Sequence, residues 1–270
     1  MMCYSLGMQN VLHIPDRSYP SQVAEVDRLP ALEQTQIDLS SLRAIGEGRY
    51  LLEVPWNEAL SCWKRLREQT EYTGLYPLLL ESRTEFEGHL KRSKAYGISQ
   101  TLEEGRTLDS AQILARRLEK VAQAHSLEEF PPQGEWPDED FDSAEEYYYT
   151  LHYRYEPAPI TMLIGLVPTF NPWEAPAMLG FSGPNGCPTP AEHSSVLRSW
   201  FERYGAEPII VTRDVLELRV VRPPLSPEAA LELAQQQFAY CDDIVYQGTG
   251  TLEALAGTLV GTPTWYFWWN

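Results

Sequence analysis

Cysteine, histidine and basic side chains are all scarce in this chain, and each scarcity removes a class of chemistry. Four cysteines occur in 270 residues, Cys3, Cys62, Cys187 and Cys241, and no two form a C-x-x-C pair. That spacing fits reduced thiols and offers no framework for disulfides or a structural zinc ion. Lys and Arg number 21 against 38 Asp and Glu, a formal net charge of −17 at pH 7. A surface this acidic repels phosphate backbones and anionic bilayers, so neither nucleic acid nor a membrane is expected as a partner. No apolar run approaches the roughly 18 residues of a membrane span. The opening Met1-Met2-Cys3-Tyr4-Ser5-Leu6-Gly7-Met8 also lacks the basic start and sustained apolar stretch of a secretory signal, so a cytoplasmic location is the expectation. What the chain has in quantity is apolar and aromatic mass. Hydrophobic residues make up 43%, with 8 Trp, 15 Tyr and 8 Phe, enough to bury a large core.

The acidity is unevenly spread. Residues 1–127 carry fifteen basic and seventeen acidic side chains and residues 157–270 five and eleven, whereas 128–156 carry one basic and ten acidic. The middle segment also holds Pro131, Pro132 and Pro137 and shows no helical or strand periodicity. It reads as an acidic, proline-rich linker or loop between an N-terminal α+β region (1–127) and a C-terminal α+β domain (157–270). Two roles fit such a segment. One is a solvated connector. The other is a docking element in which Phe130, Trp136 and Phe141, interleaved with Asp138 and Asp140, meet a basic protein partner.

Short apolar runs at 49–54 and 75–81, bounded by Gly48, Pro55 and Gly74, predict strands. Between them Asn57 is placed to cap a helix carrying Leu60, Trp63 and Leu66 at helical spacing. Asp109 starts another through about residue 124, with Ile113, Leu114, Leu118 and Val121 on one face. The cluster Tyr147-Tyr148-Tyr149 with His152, Tyr153 and Tyr155 fits helix or strand equally. In the C-terminal part, 160–167 is a buried-type strand. Thr189-Pro190 with Glu192 forms a capping box before a helix stopped by Gly205. Runs at 208–212 and 215–221 around Arg213-Asp214 predict a hairpin, Ser226-Pro227 opens a helix to about 240, 252–260 a shorter one, and 265–269 an aromatic strand. The C-terminal order is β-α-β-β-α-α-β, and the fold class is α+β, a mixed sheet with helices packed on it.

Several of these motifs recur as a set. Val167-Pro168-Thr169, Asn171-Pro172-Trp173-Glu174-Ala175-Pro176, Leu179-Gly180-Phe181, Asn185, Val196-Leu197-Arg198-Ser199-Trp200, Tyr204-Gly205-Ala206-Glu207, Asp214-Val215-Leu216-Glu217, Phe238-Ala239-Tyr240-Cys241, Asp243, Gln247-Gly248-Thr249-Gly250-Thr251-Leu252 and Trp265-Tyr266-Phe267-Trp268-Trp269 appear in order. Over about 160–270 this pattern resembles a bacterial domain family known as domain of unknown function 4253. The stretch from Tyr72 to Leu80 is similar to the region that often precedes it. The family ends on an aspartate where this chain has Asn270. The resemblance implies a bacterial host and a shared fold, and carries no reaction.

The polar candidates cluster in the C-terminal domain. Asp243, beside Asp242 and Cys241, offers the paired carboxylates that divide acid and base work, with Asn185, Asp214 and Glu217 as possible neighbours if the fold gathers them. A divalent cation would need oxygens from Asp214 or Glu217 as well, and neither a metal nor a cofactor is expected. The competing reading ties Asp243 to backbone amides and packs Cys241 in the core. Cys187 and His193 lie six residues apart, but no residue is placed in sequence to orient the histidine as a triad requires. Gly248-Thr249-Gly250-Thr251 lacks the lysine of a phosphate loop, and a threonine there is expected to cap the following helix. Trp173 and Trp200 join Trp136, Phe141, Asp138 and Asp140 as candidate binding residues. Two functions result. The first is a cytosolic, non-catalytic, immunity- or inhibitor-like module that binds a basic protein. The second is a hydrolase or transferase with a carboxylate-based site at Asn185, Asp214, Glu217, Cys241 and Asp243.

Overall fold

A computed structural model describes residues 30–124, 130–137, 145–152 and 159–270. Asp138, Asp140 and Phe141 of the expected docking segment lie outside the described residues, as do Cys3, His13, His125, Tyr153 and Tyr155. Seven strands are described: β1 (Arg43–Gly46), β2 (Arg49–Pro55), β3 (Tyr76–Leu80), β4 (Thr161–Val167), β5 (Ala206–Val211), β6 (Val215–Val220) and β7 (Thr264–Trp268). They form one sheet in the order β1-β2-β4-β3-β5-β6-β7. The β3–β5 pair is parallel and the other pairs are antiparallel. With helices on both faces, the architecture is α+β.

β4 explains the topology. Every residue after Thr161 is buried, as befits a run without polar alternation. Such a strand needs hydrogen-bond partners on both edges, and it finds them in β2 and β3, where Leu52 and Leu79 both oppose Ile164. Strands from 1–127 and from 157–270 therefore share one sheet. Two prolines sit inside it. Pro77 lies in β3, where its carbonyl accepts from Trp63 Nε1 at 2.9 Å. Pro208 lies at a register shift in β5, a bulge that tolerates a missing N–H, and its carbonyl accepts from the Tyr76 hydroxyl at 2.7 Å.

Helix α1 (Ala59–Glu68) covers one face. Its start differs from the sequence expectation: a 3₁₀ turn, Trp56–Glu58, precedes it, and Asn57 lies inside that turn instead of capping the helix. The cause is the β2 exit, where Trp56 N donates to Ile160 O at 3.0 Å and the chain turns straight into helix. Helices α2 (Arg83–Tyr96) and α3 (Ile98–Thr107) were not anticipated. Helix α4 (Ser110–Ala124) begins as expected, with Asp109 Oδ1 accepting from Ala111 N at 2.8 Å. Helix α5 (Pro190–Tyr204) carries the capping box in full: Thr189 Oγ1 accepts from Glu192 N, and the Glu192 carboxylate accepts from Thr189 N at 3.0 Å. It packs on the opposite sheet face, with α3 and α4 on its outer side. Helices α6 (Pro227–Tyr240) and α7 (Leu252–Leu259) pack on each other, α6 also meeting α4.

The described part of the acidic segment is packed, not free. Phe130 lies against Phe238 with ring centroids 5.9 Å apart. Pro132 O accepts from Leu252 N, and Gly134 N donates to Glu253 at 2.7 Å, so residues 130–137 run across the start of α7. Further on, Glu146 bridges Lys64 and Arg219, and Tyr148 is wholly buried.

His89 ties α2 to the end of β5. Arg92 Nη2 lies 2.8 Å from His89 Nδ1, and a guanidinium only donates, so Nδ1 is the acceptor and Nε2 carries the proton, directed at Thr212 O 3.0 Å away. Burial first, then the Arg92 charge, lowers the His89 pKa to about 4. The unfolded chain takes up that proton near the ordinary value of 6.5, so stability falls as pH drops from about 6.5 toward 4 and stops falling on this account below that. Urea midpoints at pH 7 and pH 5 are expected to differ less in His89→Gln than in the parent. Thr189→Ala, which removes the cap of α5, should cost about 1 kcal/mol in the same assay at pH 7.

Candidate functional site

β7 presents aromatics on both faces. Trp265, Phe267 and Trp269 are buried, packed against Trp200 of α5 and Tyr240 of α6; Trp200 stacks on Phe267 at 5.4 Å. Tyr266 and Trp268 face the other way, toward the helical turn Tyr149–His152. That turn is held by Glu217 of β6, whose carboxylate accepts from Tyr149 N and Thr150 N, both at 2.8 Å. Burial raises the Glu217 pKa against the pull of those amides.

Between this face and α6–α7 lies a cavity of about 350 Å³. The link from α6 to α7 forms one lip as a π-helical turn, Ile244–Thr249, a backbone feature found frequently at functional sites. Five aromatic residues border the cavity, Tyr147, Tyr149, Trp265, Tyr266 and Trp268, together with Glu217 and Asp243. No Lys, Arg or His does so among the described residues. Gln237 Nε2 and Trp265 Nε1, both on lining residues, are buried without a hydrogen-bond partner. Tyr147 and Tyr149 stand at the mouth, 41% and 46% exposed.

The five candidate catalytic residues are mostly engaged by backbone. Asp243 accepts from Asn270 N at 2.9 Å and from Gln247 Nε2 at 2.5 Å. Cys241, fully buried, donates to Trp268 O at 3.1 Å. Asn185 Nδ2 donates to Asn270 O. Asp214 O accepts from Trp269 N at 3.0 Å, and its side chain accepts from Thr212 Oγ1. Four of the five thus hold residues 268–270, and only Glu217 and Asp243 reach the cavity. Among the binding candidates, Trp136 is 38% exposed, whereas Trp173 and Trp200 are buried; Trp173 lies against Phe201, and both fill the core instead of offering contact surface. The glycine-threonine loop holds no open phosphate cradle at its first amides: Thr251 caps α7 by accepting from Ala254 N, and Leu252 N is taken by Pro132. No group of three or more His, Cys, Asp or Glu suited to a metal is found among the described residues.

The Cys187–His193 pair weighed from the sequence forms a second cluster. Cys187 Sγ lies 3.3 Å from His193 Nε2, and His193 Nδ1 lies 2.5 Å from the Tyr240 hydroxyl. Tyr240 supplies the third residue that sequence could not place. The electrostatics oppose a thiolate, however. Burial pushes the Cys187 thiol up to about 12, even with Gly183 and Arg117 drawing it down, and burial together with Arg117 holds His193 well below its ordinary range. A neutral thiol beside a neutral imidazole is a packing arrangement, not an activated nucleophile.

An α+β fold on one seven-stranded mixed sheet, with an aromatic strand at its edge, is the class that fold and site define. Residues 163–270 match the model of the family described as Domain of unknown function (DUF4253), from within β4 through β7, and the upstream residues lie outside the match. No curated protein and no solved structure matches the chain. No helix among the described residues is long and apolar enough to cross a membrane.

Alkylation of Cys187 by iodoacetamide at pH 8, followed by mass spectrometry of its peptide, is expected to run more than about 100-fold slower than that of a free thiol. A rate equal to the free thiol would show that the cluster activates sulfur.

Proposed function

We propose that the protein is a cytosolic, non-catalytic binding module of bacterial origin, immunity- or inhibitor-like, whose partner is a basic protein. The observation that carries this reading is the composition of the cavity's border: five aromatic and two acidic residues, with no basic residue among the described ones. Rings attract cations through their faces, and carboxylates do so by charge. The net charge of −17 adds long-range attraction that speeds encounter with a cationic partner and weakens with salt. Trp136, held beside the start of α7 by the packed segment 130–137, adds exposed aromatic surface next to acidic Glu135 and Glu253.

A hydrolase or transferase with a carboxylate-based site is the second reading. It is favoured by one observation: Glu217, whose pKa is raised, and Asp243 line the same cavity. Its weight is lessened by the hydrogen bonds that already occupy both carboxylates, since a general base must be free to reach a substrate proton.

An affinity pull-down from the native host at low and at high salt tests the first reading. A specific basic protein retained at low salt and released at high salt is the expected result, and recovery of no specific protein at either salt overturns it.

A further inference from the structure

Both carboxylates beside the β7 cavity are already engaged within the protein. Glu217 accepts from Tyr149 N and Thr150 N, and Asp243 from Asn270 N and Gln247 Nε2. Three threonines on the border, Thr249, Thr258 and Thr262, donate their hydroxyls to backbone carbonyls at 2.5 to 3.4 Å. No Lys, Arg or His borders the cavity among the described residues, so an anion has no counter-charge there. Apolar contact is what the border offers most: Ile244, Leu255 and Leu259 on the helical side, Tyr266 and Trp268 on the strand, and Tyr149 at the mouth.

Size and ring geometry narrow the occupant further. A volume of about 350 Å³ lies at the small end of the pockets that take organic molecules, about 300–1,000 Å³. The Tyr149 and Tyr266 rings stand 5.1 Å apart and inclined by 57°. A third ring can meet such a pair through its edge or its face, contacts that add to simple burial. We infer that this cavity binds a small, uncharged aromatic molecule of about two fused rings, seated against Tyr266 and Trp268 with Tyr149 at the mouth. The inference goes beyond the protein-binding function: that reading concerns charge at the cavity's border, and this one concerns what fills the space behind it.

The test titrates the full chain by calorimetry at pH 7 with naphthol, its saturated counterpart decalol, naphthoate and N-methylquinolinium. The four share a bicyclic outline and differ in aromaticity or charge. Naphthol is expected to bind saturably and at least about tenfold more tightly than any of the other three. Tyr149→Leu keeps apolar bulk at an exposed position and removes the ring. It is expected to weaken naphthol several-fold while leaving decalol and the thermal midpoint unchanged. Decalol matching naphthol overturns the aromatic preference, and either charged compound matching it overturns the preference for an uncharged one. An unaltered naphthol affinity in Tyr149→Leu overturns the location, and no saturable heat from any of the four overturns the site. None of these outcomes bears on the salt-dependent capture of a basic protein, and failure of that capture leaves the titration standing, so the two readings fall separately.

Discussion

A strand that is apolar on both faces cannot sit at a sheet edge, and β4 imposes this constraint on everything around it. Its backbone must be paired on both sides and its side chains covered above and below. β2 and β3 answer the first demand, and α1 and Phe86 of α2 contribute to the second. Gly165 at the middle of β4 shows how tight the fit is: an added Cβ would meet Leu80 Cδ1 at 2.8 Å. Because β3 is committed to β4 on one edge, β5 can join only on the other. The β5–β6 hairpin and then β7, which returns after α6 and α7, extend the sheet from that point.

At the far end the same demand for cover recurs. The Trp265, Phe267 and Trp269 face of β7 is closed by Trp200 and Tyr240 in a set of edge-on and stacked contacts. Among the described residues, the Tyr266 and Trp268 face meets a four-residue turn pinned to Glu217 through two amides. The cavity lies beside that turn, and its aromatic border follows from β-strand alternation.

Local signals were the readable ones. Thr189, Asp109, Ser226 and Thr251 announce helix starts because a cap needs only one side chain and the amides two or three residues on. The hairpin at Arg213-Asp214 and the alternation of residues 265–269 are likewise local. Helix α2 was not, because its buried face includes His89 and Ser93 beside Phe86, so hydrogen bonds to Arg92, Thr212 and Arg49 do what apolar periodicity does elsewhere. The polar motif residues were visible, but their task was not. Asn185, Asp214, Cys241 and Asp243 hold the backbone of residues 268–270, and no spacing along the chain reveals a main-chain partner between 27 and 85 positions away. Tyr240 reaches His193 across 47 positions for the same reason.

The placement of β4 also bears on how the chain reaches its native state. β2 and β3 lie next to β4 but not to each other, and eighty residues of sequence separate β3 from the strand that joins them. Until residues 161–167 are available, both strands present unsatisfied, strongly apolar edges that invite pairing with other chains. Native contacts of such long range are slow to form, since loop closure must precede any gain from pairing. Synthesis thus leaves a window in which the N-terminal half is sticky and incomplete, and holdase chaperones or a low expression temperature act on that window more than on the finished protein.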